Sequence, residues 1–323
     1  MSRRLFASPP PAAAVEIAPE RVSAAILAPR GGGLVVTAHA TDTLPPGVVT
    51  PAVNAPNITD PGLVTGALTR LFEQMGQRPR RVALAIPDSA AKVSLMRFDK
   101  VPPRADDFAQ LVRWQMRKSA PFKMEDAQLS CIPGPVDHEH GGHEFVVVAA
   151  RRDIVREYEA VVEAAGAHAG LVDLTTFNVI NTVLAGSASP AGDWLLVHVT
   201  ADYASIAIVR GGDLVFFRNR SNEGEGSLAD LVHQSAMYYE DRLSGGGFAR
   251  VVLAGAGLLD HHAPDGLHEA GDVRRTLEER LGTKVEAVDP RGAAGVTDRI
   301  MAGPDLLDTL APLVGLIVRD RAA

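Results

Sequence analysis

Residues 194–220, WLLVHVTADYASIAIVRGGDLVFFRNR, decide the fold. They read as three short strands joined by two tight turns, with apolar and β-branched runs broken at Thr200-Ala201-Asp202 and at Gly211-Gly212. A strand, a small polar turn and a returning strand can cradle a phosphate, or can be a plain hairpin. The amino end repeats the pattern as VEIAPERVSAAILAPRGGGLVV, starting at Val15. Val15 matches Val197, Ile17 matches Val199, Ser23 matches Ser205, Ala25 matches Ala207 and Ile26 matches Ile208. The glycines at 31–33 and 211–212 fall at nearly the same offset. Each half then continues through hairpins, helix, strand and helix. A repeat this long is no solenoid period; it predicts two related α/β domains facing each other.

The totals agree with that plan. A chain of 323 residues is long enough for two domains and a large buried core. Aromatic residues make up only 5%, so Val, Leu, Ile and Ala must fill the interior. A net charge of -7 and a pI of 5.8 give no basic field for nucleic acid, and RPRR at 78–81 reads as a solvated turn. The single cysteine, Cys131, cannot form an internal disulfide, which suits a reducing cytosol. Consecutive prolines near the amino end break any signal-peptide core. The longest apolar runs, FVVVAA and LAPLVGLIV, fall well short of the ~20 residues a spanning helix needs. The expectation is a cytoplasmic protein without a membrane span, reaching the membrane through a partner.

Strand signals AVEIA, VSAAIL and GLVVTAHAT open the chain. A helix follows over 61–75, with Asp60 as cap, Pro61 at its first position and Gly76 as its stop. RVALAIP reads as a buried strand and KVSLMRF follows it. The character then changes. ADDFAQLVRWQMRKS reads as a helix stopped before Pro121, and DAQLSCIPGPVDHEHGGHEFVVVAARR as a hairpin around a polar loop. DIVREYEAVVEAAG reads as a helix capped by Asp153 and ended by Gly166. This block is expected to be an inserted α+β subdomain, and DLTTFNVINTVLAG to return to the first domain as a helix. The second half adds a helix from Leu228, the strand and glycine turn of VVLAGAGLL, a helix around 273–281, the strand KVEAVDP and a last helix over 304–319. The expected domains are 1–99 with 171–190, an insert at 100–170, and 191–323.

Duplicated hairpin–helix domains with a small insert in the first are the plan of the actin-like, or ribonuclease H-like, ATPases. Within that superfamily VALAIPDSAAKVSLMRFDKVP, LVRWQMRKSAPFKMEDAQLSC, FVVVAARRDIVREYEAVVEAAGAHAGLVDL and VVLAGAGLL resemble the successive blocks of the PilM family of type IV pilus assembly proteins. RKSAPF at 117–122 and AGAHAGLVD at 165–173 carry the likeness most specifically, and the order holds over nearly the whole chain. The resemblance implies a cytoplasmic adaptor under the inner membrane. Such proteins bind the N-terminal cytoplasmic tail of a bitopic partner, PilN, and link it to the pilus machine, whose motor ATPases are further candidate partners. It implies a groove for that tail between the first domain and the insert, where an extended peptide gains main-chain hydrogen bonds and side-chain pockets. Arg113, Arg117, Pro121 and Phe122, in the insert, are the candidate partner-binding residues.

The resemblance also sets a test of the nucleotide site. In this fold each first hairpin carries Asp-x-Gly: the carboxylate holds hydrated Mg²⁺, and glycine admits the phosphates to the backbone N–H groups. Here the first turn reads Glu16-Ile17-Ala18 and is followed by Pro19, which has no N–H. The second reads His198-Val199-Thr200, and a neutral imidazole is a poor ligand for hard Mg²⁺. The adenosine turn survives best, around Gly255 and Gly257. Only SNEGEGS separates the hairpins from the helix at Leu228, so the fourth subdomain, which closes over the base, is expected to be largely missing. The expectation is a degenerate cleft with no catalytic residues and no bound cofactor; ATP with Mg²⁺ is the disfavoured alternative.

Other clusters are weaker. The histidines of DHEHGGHE at 137–144, and His261, His262 and His268, can bind metal, but neither set has the spacing of a closed zinc site, and solvated loops are expected. Arg113, Arg117 and Lys118 flank Trp114 on one helix. That stripe reads either as a face for a membrane surface or partner, or as a snorkelling, partly buried helix face, which is the favoured reading. Three functional alternatives remain: an active ATPase using Glu16 in place of aspartate, a sugar or acetate kinase of related fold, and a component of a type II secretion system.

Overall fold

β1 (Ala13–Ala18), β2 (Arg21–Arg30) and β3 (Gly33–Thr43) form the first antiparallel meander. The structure, a computed structural model, describes residues 11–136, 142–187, 192–222, 226–261, 270–297 and 302–319. Helix α1 (Pro61–Gln74) follows, and the Asp60 carboxylate accepts from the Gly62 and Leu63 N–H groups at 3.0 and 3.1 Å. Gly76 ends it in the left-handed region, φ 66°. β4 (Arg81–Ile86) then pairs parallel to β1.

The next elements are β5 (Ala91–Phe98), α2 (Ala105–Met116), β6 (Ala127–Val136), β7 (His143–Arg151), α3 (Arg152–Ala164), β8 (His168–Leu174) and α4 (Thr175–Gly186). β5, β7 and β6 make a separate three-stranded sheet in that order. The insert therefore begins at Ala91, ahead of the expected boundary at 100, because KVSLMRF pairs with β7 along its whole length. Helix α3 does not belong to it. Ile154, Tyr158, Val161 and Val162 join the core under the first large sheet, beside Leu68 and Leu71 of α1. Asp153 is not its cap: the cap position holds Arg151, whose guanidinium pairs with the Asp153 carboxylate inside the first turn. β8 was not expected from the sequence. HAGLVDL is half buried at the margin of the sheet, and a single-faced run of seven residues beside a helix is easily read as part of that helix.

The second half supplies β9 (Trp194–Val199), β10 (Tyr203–Arg210), β11 (Asp213–Ser221), α5 (Leu228–Leu243), β12 (Arg250–Ala254), α6 (Ala270–Leu281), β13 (Val285–Ala287), β14 (Gly295–Val296) and α7 (Pro304–Val318). The large sheets run β14-β3-β2-β1-β4-β8 and β11-β10-β9-β12-β13. Lobe 1 and lobe 2 thus share one core order: meander, then a parallel strand against the first. The repeat extends to register. Glu16 lies opposite Ser23 and His198 opposite Ser205, and each meander carries an irregularity just after its matched isoleucine, Ile26 or Ile208. Six residues, 222–227, connect β11 to α5, so a fourth subdomain has no room there.

Helix α7 crosses back from lobe 2. Leu310, Leu313, Val314 and Ile317 pack on the face of the lobe 1 sheet opposite α1 and α3, against Ala14, Ala25, Ala83 and Ala85. Small alanines on the strands let the helix sit close. Gly315 passes the α4 backbone so tightly that a Cβ there would lie 1.7 Å from the Asn178 carbonyl oxygen. The last helix is therefore a lobe 1 element by packing and a lobe 2 element by sequence.

Candidate functional site

The two first turns face each other across the junction of the lobes. Glu16 is 2% exposed and accepts from Arg21 Nη2 at 3.0 Å. Ala18 ends β1, and the buried Pro19 follows it. The carboxylate expected as a metal ligand is thus held by a cation five residues away. On the other side Thr200 spends its hydroxyl on its own turn, donating to the Tyr203 carbonyl at 3.0 Å and accepting from the Tyr203 N–H at 3.1 Å.

His198 enters a buried network that no sequence motif announced. Its Nδ1 lies 2.7 Å from Thr176 Oγ1. Thr176 also bonds Asp88 through its hydroxyl, and through its N–H at 3.1 Å. Ser205 Oγ donates to Asp88 Oδ2 at 2.6 Å, Asn219 donates to Ser205 at 3.0 Å, and Ser89 donates to Asn219 at 3.1 Å. Asp88 follows β4 of lobe 1, while His198, Ser205 and Asn219 stand on lobe 2 strands. Burial pushes Asp88 up to about 6 despite these hydroxyl donors. Burial, with Arg21 adding, pushes His198 down to about 3, so its imidazole is neutral. With Asp88 ionised, the one hydroxyl proton of Thr176 goes to the carboxylate, and His198 Nδ1–H donates to Thr176 Oγ1. This imidazole is oriented as a lobe-to-lobe hydrogen-bond donor.

The glycine turn after β12 is also occupied from within the chain. The Gly255 and Gly257 N–H groups each donate to the Asp308 carboxylate at 2.8 Å. Gly255 has φ 82°, and a Cβ on it would lie 2.0 Å from the Val199 carbonyl oxygen. The turn therefore presents its N–H groups, and α7 delivers an anion to them. Burial raises Asp308 to about 6, with the two N–H bonds and Arg21 opposing. A cavity of about 430 Å³ beside this turn is lined by Glu20, Arg21, Thr41, Leu258 and Asp305. Glu16, His198, Gly255 and Gly257, the groups expected to meet a nucleotide, each have a partner within the chain.

A second concavity lies between lobe 1 and the insert. Among the described residues β8 pairs only with β4 and β6 only with β7, so each has an open edge. A groove of about 200 Å³ runs between them, walled by Leu171, Val172 and Leu174 on one side and Gln128, Ser130 and Ile132 on the other. It continues past Phe177 and Arg319 into a pocket of about 300 Å³ lined by Pro133, Ile180, Leu184 and Leu214. Arg319 Nη1 donates to Asp173 at 3.0 Å where the two meet, and burial raises the Asp173 carboxyl against that pairing.

The structure does not bring Arg113, Arg117, Pro121 and Phe122 to this groove. Val112, Met116, Val147 and Ala149 pack together on one face of the small sheet, while Gln128, Ser130, Val148 and Ala150 line the groove on the other. Trp114 is 58% exposed and Arg113 is half-buried, so the snorkelling, partly buried reading fits Arg113 and not the indole. Most of the two histidine tracts lies outside the described residues, and no metal-holding group of His, Cys, Asp and Glu occurs among the described residues. No described helix is long and apolar enough to cross a membrane.

Two lobes with one strand order, a cleft between their first hairpins, and a last helix returning to the first lobe define an actin-like ATPase fold. A solved PilM–PilN type IV pilus biogenesis complex matches at TM-score 0.78 and 19% identity, over 95% of this chain and 98% of that one. The chain belongs to the family of the type IV pilus assembly protein PilM, whose model matches residues 14–242. The ethanolamine utilization protein EutJ from Carboxydothermus hydrogenoformans matches at TM-score 0.50 and 10% identity, over 97% of this chain and 90% of that one. A protein of actin-like ATPase fold and unknown function from Bacteroides thetaiotaomicron matches at 0.48 and 11%, over 85% and 89%. No curated protein matches in sequence.

Proposed function

We propose that this chain is a scaffold of the type IV pilus assembly machine that binds the N-terminal cytoplasmic tail of a PilN-like bitopic inner-membrane protein and works without hydrolysing ATP. That tail would hold the scaffold at the inner face of the membrane. The groove between the β8 and β6 edges carries the reading. It offers the open edges of β8 and β6 on its two banks, and apolar lining from Leu171, Val172, Leu174 and Ile132, to an extended peptide. The exposed Ile132 on its wall, 47% accessible, is an apolar side chain awaiting cover. The second half of the reading rests on the cleft, where Arg21, Thr176 and Asp308 engage the groups a nucleotide would need.

The test is a titration of the labelled N-terminal cytoplasmic residues of a PilN-like bitopic protein, followed by fluorescence anisotropy. Saturable binding is expected, weakened at least about tenfold by Ile132→Asp, the scale of losing one buried apolar contact and burying a charge. Absence of binding, or binding indifferent to Ile132→Asp, would overturn the groove assignment.

A further inference from the structure

We propose that the carboxyl end of α2 and the loop after it form a docking face for the anionic surface of a lipid bilayer. Helix α2 packs on the small sheet through Phe108, Val112 and Met116. Trp114 stands midway between the last two and so projects to the opposite side, where it is 58% exposed. The other tryptophan, Trp194, is fully buried. An indole on the outer face of a helix does nothing for the core, and it is the side chain that settles best at the boundary of water and hydrocarbon.

The charges around it point to the same occupant. Residues 113–124 hold four cations, Arg113, Arg117, Lys118 and Lys123, and no carboxylate, in a chain of net charge -7. Lys118 Nζ lies 5.4 Å from the centre of the Trp114 ring. Arg113 and Arg117 lie where cations suit the negative end of their own helix, and Arg117 also pairs with Glu125 at 2.6 Å. Neither reason accounts for Lys118, Lys123 and the indole. A net-negative chain is repelled by an anionic membrane in most orientations, so a local cationic patch with an aromatic anchor selects one. The half-buried Phe122, in the loop after the helix, adds a second apolar group. This face and the peptide groove lie on opposite sides of the small sheet, so the two contacts do not compete.

The experiment uses the full chain with no peptide present. It is sedimented with vesicles of phosphatidylcholine alone, and with vesicles containing about one-third phosphatidylglycerol, near 0.1 M salt, where the field still reaches about 10 Å. Acrylamide quenching of tryptophan is read in parallel; because Trp194 is buried, the response reports Trp114. Binding to the anionic vesicles alone is expected, with Trp114 shielded. Lys118→Gln and Lys123→Gln should each weaken it about fivefold, and about 1 M salt should abolish it. No sedimentation with anionic vesicles overturns the proposal. So does equal binding to neutral ones. So does binding that leaves Trp114 open to acrylamide, or equally tight binding of soluble polyglutamate, which would mark a general anion site. Peptide binding in the groove would survive any of these outcomes.

Discussion

Glu16 and His198 occupy the same place in two copies of one hairpin, each opposite a serine, and each is withdrawn from solvent by a different partner. In lobe 1 the partner is local, Arg21 across the turn. In lobe 2 it is distant, Thr176 with Asp88 behind it. The turns after the central parallel strands differ in the same sense. Counting from Ala85, opposite Glu16, and Ala254, opposite His198, Asp88 of lobe 1 matches Gly257 of lobe 2. Lobe 1 sends a carboxylate across the junction; lobe 2 offers backbone N–H groups and receives Asp308 from the returning helix. The symmetric scaffold has become two reciprocal clasps. Both clasps join the lobes through the chain's own side chains.

The comparison breaks most severely at Gly255. Gly255→Ala forces a side chain onto the Val199 carbonyl at a positive φ and should cost more than about 3 kcal/mol in denaturant unfolding. A loss under about 1 kcal/mol would mean that the turn is not held as described.

Two substitutions sharpen the contrast between the clasps through pH. His198 is neutral when folded and takes up a proton near 6.5 when unfolded, so its contribution to stability falls as pH drops from about 6.5 toward 3. His198→Gln should remove about 2.5 kcal/mol of acid loss between pH 7 and 4.5. Asp88 acts in the opposite direction. It is held at about 6 against 3.8 when unfolded, so its contribution is full below 3.8 and is lost as pH rises through 6. Asp88→Asn should therefore be more damaging at pH 4.5 than at pH 7, by about 2 kcal/mol. Parallel stability-versus-pH curves for the wild type and both variants would refute this account.

The smallest effects belong where the lobes are still alike. Gly31 and Gly211 both have φ 61° and open space around them. Gly31→Ala and Gly211→Ala should each cost about 1 kcal/mol and agree with each other within error.

The sequence revealed the hairpin repeat because its signals are local: alternation, turn glycines and matched apolar residues a fixed distance apart. It revealed α1 through Asp60, Pro61 and Gly76 for the same reason. The clasps were illegible. Asp88 sits in Pro-Asp-Ser, which reads as an ordinary turn, and its partners lie 88 and 117 residues away. Asp308 stands between Leu307 and Thr309 on a mostly apolar helix, a faint sign that its side chain meets something buried, but nothing pointed to Gly255. The insert began earlier than expected because strand pairing of β5 with β7 is a long-range property. Arg113, Arg117, Pro121 and Phe122 lie apart from the groove because α2 and the loop after it pack on the opposite face of the small sheet, and RKSAPF marks the family without marking the groove.

The claim that the cleft is closed by its own side chains is tested most directly by isothermal titration of Mg·ATP into the intact chain. The account predicts no saturable heat up to millimolar nucleotide, in the wild type and in Glu16→Ala alike. One-site binding at micromolar affinity, lost on Glu16→Ala, would contradict it.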